Sequence, residues 1–366
     1  MTKPPLSYGD YLKLDELLGC QEPESVRRGR PAHDEMLFIV VHQAYELWFK
    51  QVLVELDEVQ RLFARQPIDE RDVGRIVHAL TRIWEIWKLL IRQLDVLETM
   101  TPLDFLEFRD LLVPASGFQS LQFRLIEVRL GLGRERRASQ YAHSFDRQLA
   151  PADRERLRRA EAEPALMARL EAWLERMPFL DIGGYRFHQV YREAVLDMLR
   201  RDLRQVEESA SLAEPAREES RAALLGALER FKGVLDEAEY QRDRDRGAWT
   251  LSWRALQAAL FIVLYRDEPI LQLPFRLLSK LMDVDETMTA WRHRHALMVQ
   301  RMIGVRIGTG GSVGHEYLRR TTEEHRVFAD LFALSSFLIP RSALPPLPDD
   351  VRRQMDFAYG TGGNER

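Results

Sequence analysis

A single cysteine, Cys20, stands in a chain of 366 residues. That scarcity excludes a disulfide within the chain, a cysteine-ligated zinc and an iron–sulfur cluster, and it suits a reducing cytoplasm. Also missing is any uninterrupted apolar run approaching about 18 residues, and the N-terminal stretch MTKPPLSYGDYLKLDELLG has no long apolar core. The chain is therefore expected to be cytoplasmic, neither exported nor membrane-spanning. Charge of one sign is lacking too: 30% of the residues are charged, yet the formal net charge is −4. A near-neutral balance argues against general nucleic-acid binding. Strand-type alternation never persists beyond a few residues, with DIGGYRFH at 181–188 the only hairpin candidate, and no repeat of solenoid period occurs.

What the chain has in quantity is helix. Residues 33–64 contain neither Pro nor Gly and carry apolar side chains at helical spacing, with Phe38, His42, Tyr45 and Phe49 on one face. Their middle is apolar nearly all round, which predicts a central, buried helix. A second helix is predicted over 69–98, striped by Trp84, Trp87, Leu90, Ile91, Leu94 and Leu97. Thr101–Pro102 caps and starts TPLDFLEFRDLL, which stops at Pro114. PASGFQSLQFRLIEVRLG at 114–131 reads as a small-residue turn and a further helix. Residues 132–165 read as a surface excursion with short helices. Helices resume at 164–176, 187–209 and 214–245, the last two forming a charged pair with a thin apolar stripe. The stretch TLSWRALQAALFIVLYRDEP opens on a Thr or Ser cap and is predicted to bury nearly every side chain. A helix is predicted over 289–303, and after a glycine-rich loop another, ended by Pro340. The pattern is all-α: one helical-bundle domain over 33–341, whose residues 132–247 include a peripheral helical arm, with an N-terminal segment 1–32 and a C-terminal tail 342–366.

The chain is organised around WRHRHALMVQRMIGVRIGTGGSVG at 291–314. As a helix it aligns Trp291, His295, Met298 and Met302 on one apolar face, while His293 falls roughly 200° away from His295 among the arginines. His295 is then either a core histidine bonded to a carbonyl or the ligand of a metal or haem. The loop Gly308–Thr309–Gly310–Gly311–Ser312 satisfies neither the Walker pattern nor the dinucleotide fingerprint. It is a helix-capping loop or a small-molecule cradle.

Of nine histidines, only His42 and His295 lie on strongly apolar helical faces. Neither has a second ligand four residues away. His33-x-Glu35 and His293-x-His295 have a spacing that converges on a strand and diverges on a helix. A cofactor needing one protein ligand remains, and haem in a helical pocket with a second histidine opposite meets that description. Arg109, flanked by Phe105, Phe108, Leu111 and Leu112, is either a carboxylate clamp or an ordinary ion pair with Glu107 or Asp110. Ser116 is a candidate cap of the following helix.

The stretches YGDYLKLDELLG, HDEMLFIVVHQAYELWFKQ, LETMTPLDFLEFRDLLVPASGFQSLQFRLIE, LSWRALQAAL, WRHRHALMVQRMIGVRIGTGGSVGHEYLR and VFADLFALSSFLIPR resemble, in order and from about residue 8 to 341, the tryptophan 2,3-dioxygenase family. The resemblance implies a cytosolic homotetramer holding one haem b per subunit. It would use O₂ to open the indole C2–C3 bond of L-tryptophan, giving N-formyl-L-kynurenine, the first step of tryptophan catabolism by the kynurenine pathway. No nucleic acid or membrane partner is implied.

Carried over by motif, His295 of WRHRH would ligate the iron, with Trp291 beside it and Ser116 of PASGF above the haem. His42 would be the distal, catalytic histidine, hydrogen-bonding the indole N–H. Phe38, Phe108 and Leu112 would wall the indole, Arg109 would hold the substrate carboxylate and Thr309 its ammonium. Tyr8 and Tyr11 of YGDY would reach a neighbouring subunit's pocket. Val313 departs from the family's loop, which usually continues GTGGSSG. A relative acting on a substituted tryptophan, and a non-catalytic haem- or tryptophan-binding protein, are the alternatives.

Overall fold

A computed structural model describes residues 5–65, 68–133, 149–304 and 325–355. The described chain is helical, with one two-stranded hairpin. In order run α1 (Tyr8–Leu12), α2 (Leu14–Leu18), α3 (Glu24–Arg27), α4 (Asp34–Phe63), α5 (Glu70–Leu97), α6 (Pro102–Phe108), α7 (Leu121–Leu130), α8 (Pro151–Ala162) and α9 (Leu166–Glu175). There follow the strands β1 (Asp181–Ile182) and β2 (Tyr185–Arg186), then α10 (Phe187–Glu208), α11 (Glu214–Leu235), α12 (Glu237–Asp245), α13 (Trp253–Leu264), α14 (Gln272–Ile303), α15 (Ala329–Ala333) and α16 (Asp349–Met355). No helix among the described residues is long and apolar enough to cross a membrane.

The chain divides into two compact units, one made of 1–57, 82–163 and 284–326, the other of 58–81, 164–283 and 327–366. In the first, the α4 face bearing Val41, Tyr45, Phe49, Val52 and Leu56 is buried, as is the α5 stripe Ile83, Trp87, Leu90, Leu94 and Leu97. Burying side chains of this size contributes about 1.5–3 kcal/mol each. Trp84 differs from its expected place in that stripe. It is only half-buried, and Lys88 Nζ sits 3.8 Å over its ring. Thr101 and Asp104 form a reciprocal capping box with Pro102 in the first turn of α6.

The second unit is built on α13, of which Ala255 to Ile262 are all buried. Asp330 accepts hydrogen bonds from the Thr250 and Leu251 backbone N–H at 2.8 and 2.7 Å, holding the entry to that helix. Ser252 is its N-cap. The hairpin at 181–186 pairs Asp181 with Arg186 and Ile182 with Tyr185 across Gly183 and Gly184, whose φ values of 56° and 88° are those a two-residue hairpin turn of the primed type demands. α10 packs on α11, of which only Phe231 and Val234 are buried, and the helix predicted over 214–245 is two, broken at Asp236, which caps α12.

Several boundaries depart from the sequence reading. The N-terminal segment holds two short helices, α1 and α2, divided at Lys13, whose φ is 55°. The segment after Pro102 is α-helical only to Phe108 and continues as a 3₁₀ turn over Arg109–Leu112. The helix predicted over 289–303 begins at Gln272, because Pro274 falls in its first turn, where no intrahelical N–H bond is lost. The helix predicted after the loop is, within the described residues, a short helix at Ala329–Ala333 and a 3₁₀ turn over Leu334–Phe337.

Glu35, one half of a candidate metal pair, has a structural task. Its carboxylate is 1% exposed and accepts from the Glu24 and Ser25 backbone N–H at 2.8 and 2.9 Å, capping α3 from α4. Glu35→Ala strands both donors and is expected to cost about 2–4 kcal/mol in urea unfolding; a loss within measurement error would show that water replaces the carboxylate.

Candidate active site

The first unit encloses a cavity of about 270 Å³, larger than the ~150 Å³ apolar cavity that admits a benzene ring. One wall is the α4 face of Phe38, His42, Tyr45 and Phe49, which the helical repeat brings into line. A second is the α14 face of Trp291, His295, Met298 and Met302. Phe105, Arg109 and Ser116, from the chain between α5 and α7, and Phe123 of α7 also border it.

His42 Nδ1 lies 2.7 Å from the Phe38 carbonyl. A carbonyl only accepts, so Nδ1 carries the hydrogen and Nε2 is left as the ring's acceptor. Burial lowers the His42 pKa, outweighing the Phe38 carbonyl and the Glu46 charge that act the other way. His295 is only partly covered by side chains because it borders the cavity, yet it is enclosed within the protein. Burial, with a smaller contribution from His42, pushes its imidazole down to about 4. Its Nδ1 is buried and has no hydrogen-bond partner among the described residues. The Trp291 ring lies parallel to it, the centroids 5.0 Å apart and the planes 5° from coplanar orientation. Burial thus favours the neutral form of both rings. Both histidines border the cavity.

Arg109 has a side chain only 14% exposed, and its contact with Asp110 spans 3.8 Å to a carboxylate that is 89% exposed. Such a pair contributes about 0–1 kcal/mol, and Arg109 borders the cavity. The capping role considered for Ser116 belongs to Ser120, whose hydroxyl accepts from the Phe123 N–H at 3.2 Å. Phe108 is fully buried behind the wall, against Phe38 and Phe105 at 5.6 and 5.4 Å between ring centroids. Leu112 is half-buried and does not border the cavity. Tyr8 and Tyr11 stand 75% and 71% exposed, away from the cavity lining. Thr309, Val313 and the rest of the glycine-rich loop lie outside the described residues.

One charged cluster escaped the sequence reading. Glu127, 1% exposed, meets Arg124 Nη1 at 2.5 Å and Arg292 Nη2 at 2.9 Å, and Arg292 Nη1 also donates to the His325 carbonyl at 2.9 Å. Arg124, Glu127 and Arg292 all border the cavity. Burial would raise the Glu127 carboxyl, but Arg124, His325 and Arg292 together hold it well below the usual carboxylate range. The signal was present in LQFRLIEVRL: Leu125, Ile126 and Val128 are buried on all sides of Glu127, and a carboxylate so placed needs cationic partners. Its partner Arg292 is remote in sequence.

Comparison with known proteins bears on the same chain. The family model described as Tryptophan 2,3-dioxygenase matches residues 1–338. The chain is 48% identical over 359 residues to the tryptophan 2,3-dioxygenase of Bdellovibrio bacteriovorus, covering 98% of this chain and 100% of the relative. It is 48% identical to that of Dictyostelium discoideum over 353 residues, covering 96% and 88%, and 44% identical to tryptophan 2,3-dioxygenase B of Danio rerio over 354 residues, covering 96% and 86%.

Glu127→Ala leaves two guanidiniums against the cavity without their carboxylate and is expected to cost about 3–5 kcal/mol. Because the folded-state value is depressed, the stability Glu127 contributes is complete above its ordinary pKa of 4.5 and is lost as pH falls below it. Urea unfolding across pH 3 to 7 checks this: the gap between wild type and Glu127→Ala should narrow in acid, and a constant gap would show that the charge does not matter.

Proposed function

The chain belongs to the tryptophan 2,3-dioxygenase family, and we propose on that premise that the cavity binds haem b and L-tryptophan, and that the enzyme inserts O₂ across the indole C2–C3 bond. Both oxygen atoms end in the product, N-formyl-L-kynurenine, so turnover needs no external electron donor. The observation that carries the reading is the pairing of two buried neutral imidazoles, His42 and His295, in one apolar cavity beside a largely buried arginine.

The residues fit a haem. A group held by one protein ligand needs one buried imidazole with its lone pair free, and His295 is that residue. Among the described residues no group of three histidine, cysteine or acidic side chains is placed to hold a metal by itself. His295 would ligate the iron, with Trp291 against the ligand and Ser116 beside the macrocycle. The chemistry supplied by a bound haem is the activation of O₂ at ferrous iron.

The chain's own residues do the rest. His42 Nε2, the acceptor nitrogen, takes the hydrogen bond of the indole N–H and so orients the ring. Arg109 pairs with the substrate carboxylate and fixes the amino-acid tail, which holds C2 and C3 in one orientation. Phe38 lines the indole's place, Phe105 borders it too, and Phe108 backs both, excluding water. Following the family motif, Thr309 holds the substrate ammonium. The exposed Tyr8 and Tyr11 would cover the pocket of a neighbouring subunit, making a homotetramer the working unit. The single cysteine supports a cytoplasmic location.

Absorbance spectroscopy of the purified protein, reduced and then mixed with L-tryptophan in air, tests this: a Soret band and growth of the N-formylkynurenine absorbance are expected. A Soret band without product would favour a non-catalytic binder, which needs the iron ligand but not Arg109 and His42 together. His295→Ala is expected to lose haem, and His42→Ala to keep it while losing activity. Arg109→Ala should lose about 2–5 kcal/mol in kcat/KM; an unchanged value would remove it from the site.

A further inference from the structure

A histidine that ligates a metal ordinarily donates its second ring N–H to a carboxylate, a carbonyl or water, and that bond sets the rotation of the ring. His295 has no such bond among the described residues; its Nδ1 is buried and unpartnered. It has a flat neighbour instead. Trp291, one turn earlier on α14, is stacked parallel to the imidazole at 5.0 Å.

Trp291 is itself fixed from a distance. Its Nε1–H donates to Tyr45 Oη at 3.4 Å, and the Tyr45 hydroxyl donates to the Leu90 carbonyl at 2.6 Å. Phe123 and Trp87 close on the same indole at 5.3 and 5.7 Å between ring centroids. The Tyr45 hydroxyl can serve both neighbours at once because burial pushes it up to about 12, so it remains a phenol at any physiological pH. A residue of α4 thus holds a residue of α14 by way of a carbonyl on α5.

We propose that the relay from the Leu90 carbonyl through Tyr45 to Trp291 is the positioning device for His295, setting the rotation of the imidazole by a stacked plane rather than by a hydrogen bond. The proposal rests on the haem reading above. Turning the ring about its Cβ–Cγ bond would drive its edge into the Trp291 face, so the ligating nitrogen is offered in one direction. Trp291 and Tyr45 act through His295 and are positioning residues.

The test uses the full-length haem-loaded protein and its variants Tyr45→Phe, Trp291→Phe and Trp291→Leu. The readouts are the iron–histidine stretching band of the ferrous protein by resonance Raman and the rate of haem loss to excess apo-globin. Trp291→Leu is expected to bind haem with a shifted, broadened band and to lose it about tenfold faster, at the low end of what removing an outer-shell partner costs. Trp291→Phe, which keeps a flat ring, should restore most of the band position, and Tyr45→Phe should shift it less than Trp291→Leu does. Trp87→Phe loosens the same aromatic cluster without touching His295; it should lower the melting temperature and leave the band in place. An unmoved band in Trp291→Leu would overturn the relay, as would an equal shift in Trp87→Phe. Should Trp291→Leu fail to fold, Tyr45→Phe, which removes one oxygen atom, decides by the same band. Wild-type protein that binds no haem would instead overturn the functional reading, and the relay with it.

Discussion

Desolvation of two imidazoles is the constraint on which the rest of the site depends. A protonated histidine in an apolar enclosure pays a large penalty, so His42 and His295 are both held neutral. Neutrality gives each a lone pair, and the hydrogen bonding of each ring decides how that lone pair is used. Nδ1 of His42 is committed to the Phe38 carbonyl, which leaves Nε2 to receive a hydrogen bond. His295 has no partner at Nδ1 among the described residues and lies parallel to the Trp291 indole. Two residues of one type thereby acquire different tasks from their surroundings alone.

Charge is admitted to the cavity wall only under control. Glu127 joins Arg124 and Arg292 in a buried cluster beside the cavity, with His325 close by. Since Arg292 is on the same helix as His295, the cluster also ties α7 to the helix that carries that imidazole. Arg109 stands apart from this group, its contact with Asp110 long and solvent-exposed on the acid's side.

Much of this was legible in the sequence. The α4 face of Phe38, His42, Tyr45 and Phe49 follows from a run without Pro or Gly and from helical spacing, and the cavity wall it forms is the one that spacing draws. The His295 face was read in the same way, and His293 is exposed among the arginines as its angle required. The hairpin at Gly183–Gly184 was visible because two glycines in tandem between short apolar runs have few other uses. What stayed hidden was mostly long-range. Glu127 and Arg292 announce no partnership in sequence, and Tyr45 reads as one more aromatic until the Leu90 carbonyl and the Trp291 indole are beside it. Local helix chemistry hid the rest. A proline at 274 in the first turn hides how early α14 begins, and the tightening from α-helix to 3₁₀ turn at Arg109 leaves no trace in the apolar pattern.

The central claim is that one imidazole, at position 295, ligates iron while His42 keeps its nitrogen for the substrate. Electron–nuclear double resonance on the ferric protein carrying nitrogen-15 histidine measures it directly. The expected result is a single strongly coupled axial imidazole nitrogen, absent when His295 is replaced and retained when His42 is. Two axial imidazoles, or one that survives replacement of His295, would contradict the division of labour between the two rings.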